Sequence, residues 1–245
     1  MRSAIEEKRV IPYYQPVFDN QTKKIIKVEA LMRIKEKDGE TLPPSKFLPI
    51  AKQSGYYPML TLRMFEEVKN HLPLIPWDVS LNLSFTDFLH KEIIQSFLSL
   101  VKESSKKLAL EHKLVLELLE TEEIEIYERI IPLLFEFKKQ GVYLAIDDFG
   151  AGYSNLQRLI ELEVDFIKID ASIIKNLPES ERARNLVRAI VNFAKATGIK
   201  TIAEFVADEK IFKLVCELGI DYSQGYYFSP PLPLEELLRL GQNLT

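Results

Sequence analysis

Residues 183–204, ARNLVRAIVNFAKATGIKTIAE, contain the unit from which the fold is predicted. Ala183 to Ala196 carries apolar residues at three- and four-residue spacing, which is typical of an amphipathic helix. Gly198 follows at the place where a left-handed residue commonly ends a helix, and the run from Lys200 to Ala203 then predicts a strand. Glu204 stands directly after that strand. The segment therefore reads as helix, glycine, strand and polar residue.

The same unit recurs along the chain. Gly141 and Gly219 also stand between a helical run and a strand. Other amphipathic segments predict helices at Phe65 to Leu72, Ile93 to Lys102, Ile124 to Lys139 and Glu209 to Leu218. Apolar runs predict the other strands at Tyr13 to Phe18, Ile25 to Ile34, Val79 to Leu83, Leu114 to Leu119, Val142 to Ile146, Phe166 to Ile169 and Tyr226 to Phe228. This alternation indicates an α/β protein with a parallel sheet, open or closed, and eight candidate strands favour a closed barrel.

The first two strands differ from the others. The segment from Asp19 to Lys23 between them is too short for a crossover helix, so we expect this pair to be antiparallel. Pro43-Pro44 and Pro230-Pro231 mark irregular loops. With 245 residues and no obvious linker, the chain is interpreted as a single domain, residues 1–245.

Composition excludes several classes of function. A net charge of −4 argues against binding to a DNA or RNA polymer and against direct membrane contact, because both depend on clustered Lys and Arg. Cys216 is the only cysteine, so neither an intrachain disulfide nor a cysteine metal cluster can form. No stretch approaches the ~20 apolar residues of a membrane helix. We expect a cytoplasmic chain, either by itself or as the cytoplasmic domain of a larger membrane-anchored protein.

Polar residues stand within or directly after nearly every predicted strand. They are Glu29, Asn82, Glu117, Asp147 with Asp148, Lys168, Glu204 and Gln224. The C-terminal ends of barrel strands meet at one mouth, so these side chains are expected to converge there. Their carboxylates would repel one another unless a divalent cation compensated, and all-oxygen donors favour Mg²⁺ or Mn²⁺ over zinc. One of the two adjacent aspartates could bridge two ions ~4 Å apart.

Each of these residues also has an ordinary structural interpretation. For a single Asp or Glu at a strand end, a structural role is about as common as a functional one, because such a residue often caps the next helix or pairs with a surface cation. The glycine-bearing segment from Phe149 to Ser154 is either a strand-to-helix turn or a mobile loop over the site. Lys168 lies between Ile167 and Ile169, which favours a paired functional ammonium over an isolated exposed lysine.

Histidine chemistry is not expected at this mouth. The three histidines lie on helical or loop segments away from the strand ends and are interpreted as structural or solvated: His71, His90 and His112.

Eight short motifs resemble, in order and approximate spacing, the EAL-domain family of cyclic di-GMP phosphodiesterases. They are Tyr14-Gln15-Pro16, Glu29-Ala30-Leu31-Met32-Arg33, Asn82-Leu83-Ser84, Glu117-Leu118-Leu119-Glu120, Asp147-Asp148-Phe149-Gly150, Lys168-Ile169-Asp170, Ala203-Glu204 and Gln224-Gly225-Tyr226. The resemblance extends from Ile11 to Leu232. It implies a modified TIM barrel whose first strand is antiparallel, and hydrolysis of cyclic di-GMP to linear pGpG. It also implies two Mg²⁺ or Mn²⁺ ions and a homodimer.

The resemblance also implies a role for each site residue. The metal ligands would be Glu29, Asn82, Glu117 and Asp147 for one ion, and Asp147, Asp148 and Glu204 for the other. Lys168 would orient or help activate the attacking water with support from Gln224, and Glu120 would tether the glycine-bearing loop. Gln15 and Arg33 would contact the guanine and phosphate of the substrate. Asp148 would also bind the substrate, and Glu204 would belong to the catalytic residues together with Lys168, Glu120 and Gln224.

Two positions depart from the family pattern. The usual Ala-Glu-Gly-Val-Glu is replaced by residues 203–207, AEFVA, so Ala207 stands where a second glutamate is usual. Leu119 replaces a usual threonine beside Glu120. These departures motivate an alternative hypothesis, a cyclic di-GMP receptor without turnover. By chemistry alone, a metal-dependent lyase or isomerase barrel is a further alternative, because such barrels also combine strand-end carboxylates with a lysine.

Overall fold

The computed structural model describes residues 1–106, 113–119, 124–151 and 156–244. Its strands are β1 (Val10–Asp19), β2 (Ile25–Lys35), β3 (Thr41–Leu42), β4 (Asp78–Leu83), β5 (Leu114–Leu119), β6 (Tyr143–Phe149), β7 (Phe166–Ile169), β8 (Lys200–Ala203) and β9 (Tyr222–Ser223). Its α-helices are α1 (Arg2–Glu6), α2 (Pro44–Gln53), α3 (Tyr57–His71), α4 (Lys91–Lys106), α5 (Ile124–Lys139), α6 (Leu156–Glu161), α7 (Ala171–Ile174), α8 (Glu181–Thr197), α9 (Glu209–Glu217) and α10 (Leu234–Gln242). Short 3₁₀ helices cover Leu72–Leu74 and Phe85–Leu89.

Eight of the strands close into a barrel. The order around the barrel is β1, β9, β8, β7, β6, β5, β4 and β2, and the pairing of β1 with β2 completes the ring. All neighbours from β2 to β9 are parallel, whereas β1 is antiparallel to both of its neighbours. The short strand β3 pairs with the far end of β2. The prediction of a modified barrel with an antiparallel first strand is therefore confirmed.

The turn between β1 and β2 sets the register of this antiparallel pair. The Asp19 carboxylate accepts hydrogen bonds from the backbone N–H groups of Gln21 (2.9 Å) and Thr22 (2.6 Å), which closes the turn locally. In the resulting register Gln15 lies opposite Glu29. Because the side-chain period of a strand is two, a slip of β1 by one residue would turn Gln15 away from the barrel interior.

The glycines that follow three of the helices adopt the expected conformation. Gly141, Gly198 and Gly219 have φ values of 86°, 76° and 78°, and Gly198 is the C-cap of α8. A side chain is disfavoured in this left-handed region, so glycine ends the helix at little cost and the next strand can begin. This part of the prediction is confirmed.

The predicted strand from Tyr226 to Phe228 is wrong. The last strand is β9, and the chain then turns, with the N–H of Phe228 donating to the carbonyl of Gly225 at 3.1 Å. The backbone of Gly225 lies against Val206 so closely that an added Cβ would be 2.2 Å from the Val206 carbonyl oxygen. The chain is thereby held against the segment after β8 and does not continue along the sheet.

The predicted helices are all present, but several others were missed. The five predicted segments correspond to α3, α4, α5, α8 and α9, and α3 begins at Tyr57 rather than Phe65. Pro44, assigned to an irregular loop, instead opens α2, where the fixed φ of proline suits the first turn of a helix. In the described part of the chain, no helix combines the length and apolar character needed to cross a bilayer.

The barrel interior is arranged in layers that alternate with the strand period. Val115, Ala145, Phe166 and Ile202 form an apolar layer together with Val17 of β1. Each of the first four lies two residues before a polar residue predicted at the mouth, so the polar side chain points to the same side of its strand one layer higher. The apolar layer closes the floor beneath the site. A larger apolar cluster packs the helices around the outside of the barrel.

Candidate active site

Four carboxylates converge on one buried lysine at the mouth of the barrel. The Nζ atom of Lys168, whose side chain is 1% exposed, lies 2.7 Å from Glu117, 2.9 Å from Asp147, 2.9 Å from Glu204 and 3.1 Å from Glu29. The carboxylates come from β2, β5, β6 and the residue after β8, which are widely separated in sequence. The structure thus brings together the strand-end residues that the sequence predicts at one site.

Two amide side chains orient Glu29. The Nε2 atom of Gln224 donates to Glu29 Oε2 at 2.8 Å and also lies 3.2 Å from Gln15 Oε1. The Nδ2 atom of Asn82 donates to the other oxygen, Glu29 Oε1, at 2.8 Å. Gln15, Asn82 and Gln224 therefore lie where the sequence places them, around the same carboxylate.

Lys27 is a buried member of the site that the sequence reasoning missed. Its ammonium donates to Glu117 Oε1 at 2.9 Å, on the opposite side of this carboxylate from Lys168, and both side chains are almost fully buried. The strand period could have predicted this position, because Lys27 lies two residues before Glu29 and therefore faces the same side of β2, towards the barrel interior.

A β-bulge turns both adjacent aspartates towards the site. The register between β6 and β7 shifts between Ile146 and Phe149, and Asp148 within this interval has a φ of 55°. A bulge redirects a side chain that strict alternation would point outward. The N–H of Asp148 donates to Asp147 Oδ1 at 3.1 Å. A non-glycine residue in the left-handed region is uncommon and is found preferentially at functional sites.

The site carries more negative charge than its two lysines balance. Burial opposes ionisation of Glu117, but Lys168 and Lys27 outweigh it and lower the pKa of Glu117 to about 2. Burial and the charge of Glu117 raise the pKa of Glu29. Burial and the charges of Asp147 and Glu29 raise the pKa of Glu204 to about 8, although Lys168 opposes this shift. An additional cation beside these carboxylates would favour their ionised forms.

The carboxylates fall into two groups that suit metal ions. Glu29, Glu117 and Asp147 each offer an oxygen within 4.8 Å of the others, and Asp147, Asp148 and Glu204 form a second group of the same kind. Asp147 belongs to both groups. Carboxylate oxygens suit hard divalent cations such as Mg²⁺ or Mn²⁺. The residues present therefore fit the two predicted ligand sets, with Asn82 adjoining the first through Glu29.

A cavity of about 480 Å³ opens beside these groups. Its polar floor is formed by Gln15, Glu29, Glu204 and Gln224, and its apolar wall by Leu31, Phe205, Ala207, Gly225 and Tyr226.

The other predicted residues lie at different distances from the site. Arg33 is on β2 beyond Glu29, with its guanidinium 5.5 Å from the Tyr13 ring centroid, and its contact with phosphate stays a prediction. His71 hydrogen-bonds to the hydroxyl of Tyr14 at 2.9 Å, consistent with a structural role. Several predictions fall outside the described residues, namely those on Glu120, His112 and residues 152–154, and the same is true of the Leu119 side chain.

The fold and site define a barrel with an acidic mouth suited to divalent cations, and comparison with known proteins identifies the family. Residues 1–231 match the EAL domain model, and the chain belongs to this family. Cyclic di-GMP phosphodiesterase PdeL of Escherichia coli is 31% identical over 94% of the chain, and cyclic di-GMP phosphodiesterase PdeB of Shewanella oneidensis is 30% identical over 94%. The chain spans 64% and 27% of the lengths of these two relatives.

Solved structures show the same architecture. The PaMucR phosphodiesterase in complex with c-di-GMP has a TM-score of 0.83 and 28% identity, with 96% of this chain and 97% of that chain covered. An EAL domain protein from Listeria monocytogenes has a TM-score of 0.83 and 31% identity, with 97% and 94% covered. The fold is therefore the modified TIM barrel of EAL domains.

Proposed function

We propose that this chain is a metal-dependent phosphodiesterase that hydrolyses one phosphodiester bond of cyclic di-GMP and releases linear pGpG. The observation that carries the proposal is the convergence of four carboxylates on Lys168 at the barrel mouth, with Asp148 grouped beside Asp147 and Glu204. Relatives named cyclic di-GMP phosphodiesterases and a neighbouring structure in complex with c-di-GMP support this choice of substrate.

The oxygen donors at the mouth would hold two Mg²⁺ or Mn²⁺ ions. The proposed ligands are Glu29, Asn82, Glu117 and Asp147 for one ion, and Asp147, Asp148 and Glu204 for the other. When bound, such ions lower the pKa of water and neutralise charge on phosphoryl oxygens. Burial, together with the charges of neighbouring carboxylates, raises the pKa values of Glu29 and Glu204, and bound cations would lower both.

Lys168 would act as a fixed hydrogen-bond donor rather than as a base. Although burial opposes protonation, the surrounding carboxylates keep the pKa of Lys168 well above its usual range. An ammonium group has three donors and no acceptor, so it can orient a water molecule or a phosphoryl oxygen without taking a proton. The carboxylates around it hold its position within the site.

The substrate would lie across the cavity beside the carboxylates. Gln224 links Gln15 to Glu29, so an amide group that lines the cavity is coupled directly to a proposed metal ligand. Arg33 supplies positive charge for a phosphate, and Glu120 would tether the adjoining loop. The roles of Gln15, Arg33 and Glu120 are proposals from the family resemblance. A homodimer is a proposal of the same kind. A single domain over residues 1–245 and a cytoplasmic location are proposals from the length and composition of the sequence.

Incubation with cyclic di-GMP and Mg²⁺ or Mn²⁺, followed by chromatography, tests this function. We expect pGpG to accumulate, and no pGpG to form in EDTA. Tight binding of cyclic di-GMP without pGpG would support the receptor alternative, for which the departures at Ala207 and Leu119 are the motivation. Indifference to cyclic dinucleotides would contradict both hypotheses and favour a carbon-acid lyase or isomerase.

A further inference from the structure

Phe205 is an aromatic residue in an unusual backbone conformation at the edge of the site. It follows the proposed ligand Glu204, has a φ of 54° and is 54% exposed. Its side chain lines the cavity of about 480 Å³ together with Tyr226, which is 73% exposed. In the described part of the chain, no other aromatic ring stacks on either side chain. Two large ring surfaces thus face solvent beside the carboxylates.

The strained conformation of Phe205 is held by hydrogen bonds on both sides. The N–H of Glu204 donates to the carbonyl of Ile169 at 3.3 Å, and the N–H of Val206 donates to that of Gln224 at 3.0 Å. The carbonyl of Val206 accepts from Tyr227 at 3.0 Å. A bulky residue at positive φ is an outlier that persists only when its surroundings enforce it. The ring is therefore presented from a fixed backbone.

The cavity has the distribution of polarity that a nucleobase requires. Phe205, Leu31 and Ala207 provide apolar surface, whereas Gln15 and Gln224 on the floor offer amide groups. A base is flat and uncharged, with faces that stack on aromatic rings and edges that form hydrogen bonds. Among the described residues that line the cavity, the apolar wall includes no cation to attract a phosphate. The wall therefore suits the base rather than the phosphate of a nucleotide.

We propose that Phe205 is a specificity-determining residue whose ring stacks on one guanine base of cyclic di-GMP. This inference rests on the proposed function and deepens it, because it assigns the base to the apolar wall and leaves the phosphate to the side of the cavity where the proposed metal ligands lie. Stacking acts on substrate binding, so removal of the ring should raise KM and leave kcat nearly unchanged.

Three variants of Phe205 test the stacking. Phe205→Gly removes the ring and supplies the residue that a left-handed backbone favours, so its melting temperature should not fall. We expect its KM for cyclic di-GMP to rise by roughly 5- to 150-fold, the range for loss of one base–aromatic stack. Phe205→Leu keeps apolar bulk without an aromatic face and should also raise KM. Phe205→Trp restores an aromatic face and should keep KM near the wild-type value.

The tryptophan variant also reports binding without turnover. Trp77 is the only tryptophan of the wild-type chain, so the wild-type emission gives the background. Cyclic di-GMP should quench the additional emission of Phe205→Trp. The matched control is Glu163→Gly, which relieves the same type of backbone strain (φ 51°) at an exposed position before β7, at the opposite end of the barrel. This control should leave KM and kcat unchanged.

The outcomes separate this inference from the proposed function. If the wild type forms pGpG and the KM of Phe205→Gly and of Phe205→Leu equals the wild-type KM, the stacking role is wrong and the proposed function stands. A fall in kcat at constant KM, or unchanged emission of Phe205→Trp while wild type turns over, also overturns the stacking role. If wild type neither cleaves nor binds cyclic di-GMP, the proposed function fails, and this inference fails with it.

Discussion

Asp147→Asn is the sharpest test of the site, because Asp147 belongs to both carboxylate groups. The substitution retains the shape of the side chain but removes the charge that both proposed ions share. We expect pGpG formation to be abolished. We also expect the metal-free variant to remain folded, because the electrostatic changes have opposite signs.

The size of these changes can be estimated from the distances. Loss of the attraction between Asp147 and Lys168 at 2.9 Å costs about 6 kcal/mol at an effective dielectric constant near 20. Relief of repulsion returns about 3 kcal/mol for each ionised carboxylate within 4.8 Å, and Glu117 and Asp148 both belong to groups with Asp147. The two effects cancel within a few kcal/mol, so the free energy of unfolding without metal should change little.

Thermal unfolding with and without Mn²⁺ measures how much metal binding depends on Asp147, independently of activity. At a metal concentration ~100-fold above Kd, binding stabilises the folded state by about 2.7 kcal/mol, which raises the melting temperature of a domain of this size by about 5–10 °C. Wild type should show this rise and Asp147→Asn should lose most of it. Glu163→Gln, with the same change in charge at an exposed position, should behave as wild type. Near-wild-type turnover, or an undiminished metal response in Asp147→Asn, would refute the two-metal assignment.

Three further substitutions test the packing and charge balance of the fold. Lys27→Met breaks the buried pair with Glu117 and should lower the free energy of unfolding in urea by about 3 kcal/mol; an unchanged midpoint would show that the pair contributes nothing. Burial raises the pKa of Asp221, but hydrogen bonds from Lys200 and Thr201 outweigh burial and lower it. The ionised Asp221 therefore stabilises the folded state fully above its ordinary pKa near 3.8, and this stabilisation is lost as the pH falls through the lower pKa of the folded state. Asp221→Asn should therefore flatten the fall of stability with acid in urea titrations, and a slope identical to wild type would contradict this role. Gly241→Ala would place a Cβ 2.3 Å from the ring of Trp77, so it should destabilise the fold by about 1–3 kcal/mol and shift the tryptophan emission; unchanged stability and emission would show that the contact relaxes freely.

Much of the architecture could be predicted because its determinants are local. The amphipathic period of α8, the left-handed Gly198 and the strand that follows all lie within one short segment. The short connection after β1 likewise required an antiparallel partner. Strand-end positions identified Glu29, Glu117 and Glu204 as members of one mouth before any distance was known.

Other features depend on contacts between segments that are distant in the chain. The turn at Tyr226 has an apolar pattern that suits a strand, and the close approach of Gly225 to Val206 decides against it. Neighbouring strands and loops impose the bulge at Asp148 and the left-handed conformation of Phe205. Neither feature can therefore be predicted from the local sequence pattern.

The sequence by itself determined which residue types stand at the strand ends and that the strands alternate with helices, because period and turn chemistry act over a few residues. Only the tertiary structure decided how charge is shared at the mouth. Lys27 and Lys168 approach the same Glu117 carboxylate from two sides, and burial beside other carboxylates raises the pKa of Glu204. Electrostatic energies depend on distances of a few ångströms in a desolvated site, and barrel closure alone sets those distances.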